Sequence, residues 1–494
     1  MSTLKKFAGQ TAIYGISTVA SRVLNFFLTP IYTRVYAPKI YGIFTEMYSY
    51  ASILNALLSF GMETTFFRYL NKKEGQKENI YNNTFIVVAF ISFLFLLTSL
   101  IFLHPIATWM QAGRTTSLAD YTTYIKYFIV ILVIDALSVV PFAKVRAEGK
   151  PSRYSLIKLI NVLTFIGLNL FFLFVIPFII KHQLFMADVL QKWYQPKWVG
   201  YVFVANLIAS VLTFLLLLPE LLQLKFKIDK KLITEMFSYS WPVLVANLSF
   251  IINENVDKIF LGHLLPSAIS EAQVGVYGAC CKIAIFLSIF IMAFRLGAEP
   301  FFFNHAKNEN SGKTYAAIMN YFILAVSLIF VGIVANIEIL KHFIQERYWV
   351  GLNVIPILLF GYVSLGIYMN LSIWYKLSDQ TKFGLLISGV GALLTIILNL
   401  IFIPQYGYMA SAWISLIAYT SMMILSYILG QKHYPIPYSL KKNIGYLSLS
   451  ILIVVLSFVV FDRNIIIGNL LFISFALLII YLERKQLQKI FSSL

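Results

Sequence analysis

The stretch Gly61-Met62-Glu63-Thr64-Thr65-Phe66-Phe67 closes one apolar run, and Gly297-Ala298-Glu299-Pro300-Phe301-Phe302-Phe303 closes another about 235 residues later. Both read G-x-E-x-x-F-F. The runs also open alike, on Gly42-Ile43-Phe44 and on Gly275-Val276-Tyr277. A second echo links Leu168-Asn169-Leu170-Phe171-Phe172 to Leu398-Asn399-Leu400-Ile401-Phe402 at nearly the same offset. Each copy is followed by a proline and then a run beginning near Gly-Tyr, at Gly200-Tyr201 and Gly407-Tyr408. One such match between apolar helices arises easily by chance; two in the same order mark an internal repeat.

The repeat sits in a chain built for a bilayer. Of 494 residues, 59% are hydrophobic and only 12% are charged, against about half and a quarter in soluble domains. That excludes disorder, and 25 Gly and 15 Pro without a period exclude a collagen-like fibre. The two cysteines, Cys280 and Cys281, are adjacent in an apolar run, which excludes a disulfide scaffold and reads as small packing residues. Runs long enough to cross a membrane fall at 9–33, 40–67, 80–103, 121–143, 154–180, 198–222, 232–262, 272–303, 314–337, 350–375, 383–404, 406–430, 443–461 and 465–482. The chain is an all-α polytopic membrane protein of about fourteen spans. Met1 to Gly9 is a short basic start before a run of spanning length, so no cleavable leader is expected.

The net charge of +18 is spread through short connections, not gathered in one basic domain, so no nucleic-acid partner is expected. With these spans, 24 Lys and Arg fall on the side of the N-terminus and nine on the other. Basic residues accumulate on the cytoplasmic side, which puts both termini there. Six spans separate the repeat partners, so both copies keep one orientation. That predicts two parallel six-helix lobes, 1–228 and 229–438, with 439–494 as an appendage of two helices and a tail.

Ionisable groups inside spans are costly, so they line a cavity or pair. In span 1, Thr11, Gly15, Thr18, Arg22, Asn25, Thr29 and Thr33 recur at steps of three and four, one polar stripe on an apolar helix. Arg22 lies ~20 Å along the helix from Gly9 at 1.5 Å per residue, too deep to snorkel. A central aqueous cavity accounts for that stripe better than close helix packing, which explains the small residues but not Arg22. Span 7 carries Glu254, Asn255, Asp257 and Lys258 near its outer end. Glu254 and Lys258, four apart, fit either an intrahelical ion pair or a polar face that the second lobe turns to the same cavity. Arg295 and Glu299 are also four apart, and Glu63, the repeat counterpart of Glu299, has Arg68 nearby. These fit a gate at the inner mouth that closes by ion pairing across the lobes, or equally interfacial anchors. Asp135 stands alone in span 4, a candidate proton or ion site.

The opening Gly9-Gln10-Thr11-Ala12-Ile13-Tyr14, the Tyr41-Gly42 start of span 2, its Gly61…Phe67-Arg68 end, Asp257-Lys258, Gly275-Val276-Tyr277 and the Pro300 region resemble the Wzx-type oligosaccharide flippases. These belong to the multidrug/oligosaccharidyl-lipid/polysaccharide exporter superfamily, with the lipid II flippase MurJ and the MATE exporters as relatives. The resemblance implies a MATE-like V of two lobes, alternating access, and export of an undecaprenyl-pyrophosphate-linked oligosaccharide across the bacterial inner membrane. It implies bilayer lipids and other polysaccharide-assembly proteins as neighbours, a monomeric carrier and no cofactor. The cations Arg22, Lys258, Lys282 and Arg295 suit an anionic pyrophosphate better than a cationic drug. A MATE-type multidrug antiporter is the alternative within the class. A membrane-embedded polymerase or ligase is the alternative outside it, against which the short outward loops argue. No P-loop, Rossmann glycine pattern, H-E-x-x-H or clustered Cys/His ligands occur, so neither direct ATP coupling nor a metal is expected.

Overall fold

The structure, a computed structural model, describes residues 20, 23–73, 75–225, 227–305, 311–378 and 380–491. All regular structure among them is helical, and nine helices are long and apolar enough to cross a membrane. The longest, Lys382–His433, is two helices: its backbone breaks at Gly407, with φ 56° and ψ −141°. Only glycine adopts that region readily, and the break falls at the start of the span expected at 406–430, just after the one expected at 383–404. Pro38–Ser59 and Lys230–Leu264 occupy spans 2 and 7. They fall outside the nine, the second because it carries many polar and charged residues.

Local chemistry sets the helix ends. Pro38 stands in the first turn of Pro38–Ser59, where a missing N–H costs nothing. Phe60 and Gly61 then turn left-handed and re-aim the chain into Met62–Lys72. Ser117 caps Leu118–Ala147 by accepting from the Asp120 amide, and Asp229 caps Lys230–Leu264 by accepting from the Leu232 amide at 3.0 Å. That amide, with the Asn79 side chain, holds the Asp229 carboxyl below its ordinary range. Rings and branched chains such as Phe90, Phe93, Leu97 and Leu163 stand outward, as a lipid-facing surface requires.

The chain forms two compact units that part between Gly275 and Val276. In the first, Gly200–Leu216 packs against Leu118–Ala147 and Pro151–Leu170, and Pro38–Ser59 packs along Lys230–Leu264. In the second, Ile355–Leu371 packs on Lys382–His433, and Ser311–Ala335 supports Leu440–Val455 and Ile465–Phe491. Asn336 and Asn469 exchange reciprocal amide hydrogen bonds at 3.2 and 3.1 Å, and buried Glu483 takes Lys442 at 2.6 Å. The C-terminal pair is therefore tied to the end of Ser311–Ala335 at one end and clasped together at the other.

The repeat has a physical meeting point inside the first unit. A Cβ on Gly42 would run into the carbonyl oxygen of Glu271, and a Cβ on Gly275 into that of Pro38. The shift that carries Gly42 to Gly275 also carries Pro38 to Glu271. Each glycine thus receives the backbone that its repeat counterpart presents, a self-complementary crossing of the kind two-fold symmetry produces. Glycine is required at both places because backbone lies against backbone.

Candidate functional site

Five long helices of the first unit, with the start of Met62–Lys72, surround a cavity of about 500 Å³, inside the ~300–1,000 Å³ typical of ligand sites. Pro38–Ser59 contributes Ser52, Asn55 and Ser59; Leu118–Ala147 contributes Asp135, Ser138 and Phe142; Pro151–Leu170 contributes Tyr154, Lys158 and Asn161. Gly200–Leu216 adds Asn206, Ser210 and Thr213, and Lys230–Leu264 adds Asn247 and Ile251. Along every one of these helices the lining residues step by three and four. Each apolar helix therefore turns one polar stripe to a shared interior.

The lining is held in place by its own hydrogen bonds. Asn161 donates to Thr213 Oγ1 at 2.8 Å and to the Ala209 carbonyl at 3.1 Å, and Asn206 donates to the Tyr48 hydroxyl at 3.0 Å. Ser210 and Asp135 line the same wall of the cavity. The Lys158 ammonium lies 4.5 Å from the centre of the Phe142 ring, a cation–π contact. Glu63 lines the mouth, and its carboxylate pairs with Arg146. With Glu63 so compensated, the lining sets one carboxylate, Asp135, against one ammonium, Lys158, among the described residues. Such an interior offers donors, acceptors and ring faces without excess charge. It suits a hydroxyl-rich ligand better than an organic cation.

The other expected site residues are placed as follows. Thr18 and Arg22 lie outside the described residues, as does the side chain of Glu299. Asn25 is exposed, and Thr29 is buried with its carbonyl taking the Thr33 hydroxyl at 3.0 Å. The ammonium of Lys258 goes to Asp257 Oδ1 at 2.7 Å and to the main-chain carbonyl of Glu254 at 2.6 Å. The ion pair is with the adjacent residue, Asp257, which is buried, whereas Glu254 is exposed. Asn255 donates to the Ile251 carbonyl at 3.1 Å. Glu63 meets Arg146 and not Arg68, whose guanidinium stacks 3.9 Å from the Tyr239 ring centre. Five residues apart on one helix, Glu63 and Arg68 point ~140° away from each other. Arg295 and Lys376 border a small cavity of about 20 Å³ in the second unit. Among the described residues, Asp135 and Glu63 are the two expected ones that share the large cavity.

Sequence reasoning missed Lys158, and with it the stripes on spans 2, 4, 5 and 6. Lys158 stands close enough to the start of its span to pass for an interfacial lysine. The signal was available in the spacing 154, 158, 161. Among the described residues no group of His, Cys, Asp and Glu is arranged to hold a metal.

The family described as polysaccharide biosynthesis protein matches residues 7–304, more than half of the chain. The chain belongs to that family. A second family, described as MatE, matches residues 242–401. The lipid II flippase MurJ in an inward closed conformation is similar in fold at a TM-score of 0.66 and 14% identity, over 96% of this chain and 100% of that one. An inward-facing multidrug resistance MATE family transporter follows at 0.62 and 14%, over 83% of this chain and 94% of that one. The MATE multidrug transporter DinF-BH gives 0.62 and 16%, over 88% of this chain and 97% of that one. No curated protein matches the chain in sequence. The chain is therefore a multi-pass membrane protein with the MurJ and MATE fold. The exporter superfamily expected from the motifs is borne out.

Proposed function

We propose that this protein is a flippase for undecaprenyl-pyrophosphate-linked oligosaccharides, carrying them to the outer leaflet of the bacterial inner membrane for surface polysaccharide assembly. The observation that carries the reading is the charge-balanced interior of carboxamides, hydroxyls and rings, in a chain of a polysaccharide biosynthesis family. Carboxamides and hydroxyls pair with sugar hydroxyls, and Phe142 and Tyr154 offer faces for sugar rings. In this reading the carrier works by alternating access, with 1–228 and 229–438 as its two lobes and 439–494 as an appendage. In this reading Arg22 takes the diphosphate, and Thr18, Asn25, Thr29, Asn255, Lys258 and Arg295 are its further substrate contacts. Asp135, with Glu254 and Asp257, couples transport to an ion, and Glu63, Arg68 and Glu299 guard the inner mouth.

The MatE match over 242–401 favours a drug antiporter as a second reading. The ammonium of Lys158 opposes it, because a cation site needs an uncompensated carboxylate. A strain lacking the gene decides between classes. A flippase defect leaves lipid-linked units made but no saccharide at the surface. A polymerase defect leaves single units reaching the surface, and that outcome would reject the reading.

The orientation is tested separately. In a background lacking Cys280 and Cys281, cysteines replacing Lys73, Lys230 and Lys442 should react with an impermeant maleimide only from the cytoplasm. A cysteine replacing Lys192 should react only from outside. Opposite labelling of positions 73 and 230 would break the fourteen-span assignment.

A further inference from the structure

A second buried polar cluster lies in the first unit, at the end of the helices away from the basic side and apart from the cavity. Its centre is Arg114, whose side chain is 0% exposed. Nη1 donates to Glu46 Oε2 at 2.7 Å and to the Tyr121 hydroxyl at 2.9 Å; Nη2 donates to Glu46 Oε1 at 3.1 Å and to the Gly262 carbonyl. Tyr121 in turn donates to Glu271 Oε1 at 2.9 Å. His263 Nε2 lies 2.7 Å from the Tyr50 hydroxyl and 3.4 Å from Glu46 Oε1, with its ring stacked 4.2 Å from Trp109. Lys39, partly exposed, closes the edge at 3.8 Å from Glu271.

We infer that this cluster is the latch of the outer mouth, fastening Pro38–Ser59 to the outer ends of Lys230–Leu264 and Ser267–His305, and that each export cycle parts it. The inference rests on the proposed orientation and function. Two independent observations support it. First, the cluster is wrapped around the glycine crossing: Glu46 is one turn beyond Gly42, and Glu271 is one turn before Gly275. The helices of the two repeats are thus locked at their point of symmetry, by backbone contact and by charge. Second, the lock is ionic. A buried ion network holds little net stability over apolar packing, because its desolvation cost offsets its attraction. When the helices separate, water takes back each charge, whereas an apolar seam would be left exposed. A closure made this way holds its two states close in energy, as a switching element requires.

The test uses the full-length protein, without Cys280 and Cys281, carrying a single cysteine in place of Ser52 on the cavity wall. Whole cells are treated with a membrane-impermeant maleimide from outside. Glu46→Gln, Arg114→Ala and Gly42→Val should each raise the labelling rate on the order of tenfold, a shift toward the outward-open state. Arg114→Lys, which keeps the charge, should raise it less. A rate unchanged in all three variants, at normal membrane abundance, overturns the latch. Should those variants fold poorly, the pair Lys39→Cys with Glu271→Cys provides the converse. Oxidation to a disulfide should stop export and reduction should restore it, whereas full export by the oxidised protein overturns the latch. Labelling that responds as expected in a protein that exports no saccharide would retain the latch and reject the flippase reading.

Discussion

Lys158→Ala should cut surface polysaccharide ten- to a hundredfold while the protein remains abundant in the membrane. The ammonium is the one counter-charge that the described cavity lining offers Asp135, and it faces a space lined by hydroxyls and carboxamides. A hydrogen bond to a charged group lost from such a site costs about 1.5–3 kcal/mol, and each 1.36 kcal/mol is about tenfold in rate. Lys158→Arg keeps the charge and the contact with the Phe142 ring, so it should retain a measurable fraction of export. Quantifying surface polymer beside immunoblots of the membrane fraction separates lost transport from lost protein. Normal export by Lys158→Ala would remove the cavity from the substrate path. A gain of organic-cation efflux by the same variant would favour the drug-antiporter reading, since an uncompensated Asp135 is the carboxylate such a transporter needs.

Arg22→Ala should abolish export outright. A diphosphate carries its charge on paired oxygens, which a guanidinium fork matches with two parallel hydrogen bonds and an ammonium cannot. Arg22→Lys should therefore rescue only part of the loss, in contrast to the effect of a residue that merely spaces helices, where alanine would serve well. Full export by Arg22→Ala would take it out of the site.

The parts of this account that were legible in the sequence are those set by local pattern. Hydropathy alone gives an all-helical polytopic chain, because in lipid every backbone group must be paired within a helix. The break at Gly407 was legible as well, from Pro404 and the Gly-Tyr start of the following run. The polar stripes at 52, 55 and 59, at 135, 138 and 142, and at 206, 210 and 213 are written at helical spacing; only their convergence on one cavity needed the fold. Long-range partners were not legible. Arg114 read as one more outward basic residue, yet it is buried against Glu46, a charge within span 2 that hydropathy averages away. Glu63 finds Arg146 on a different helix, although Arg68 is closer in sequence. The compact units divide at Gly275 because Lys230–Leu264 lies along Pro38–Ser59, a packing choice that no pattern in either helix announces.

The most direct test of the central claim is transport by the purified protein in liposomes. An undecaprenyl-pyrophosphate-linked oligosaccharide with a fluorescent sugar is loaded in the inner leaflet, and its appearance in the outer leaflet is followed with an external quencher. A parallel set of vesicles contains a lipophilic organic cation. The account predicts that wild-type protein moves the lipid-linked saccharide, that Lys158→Ala and Arg22→Ala do not, and that the cation is left where it was. Efflux of the cation with no movement of the saccharide would contradict it.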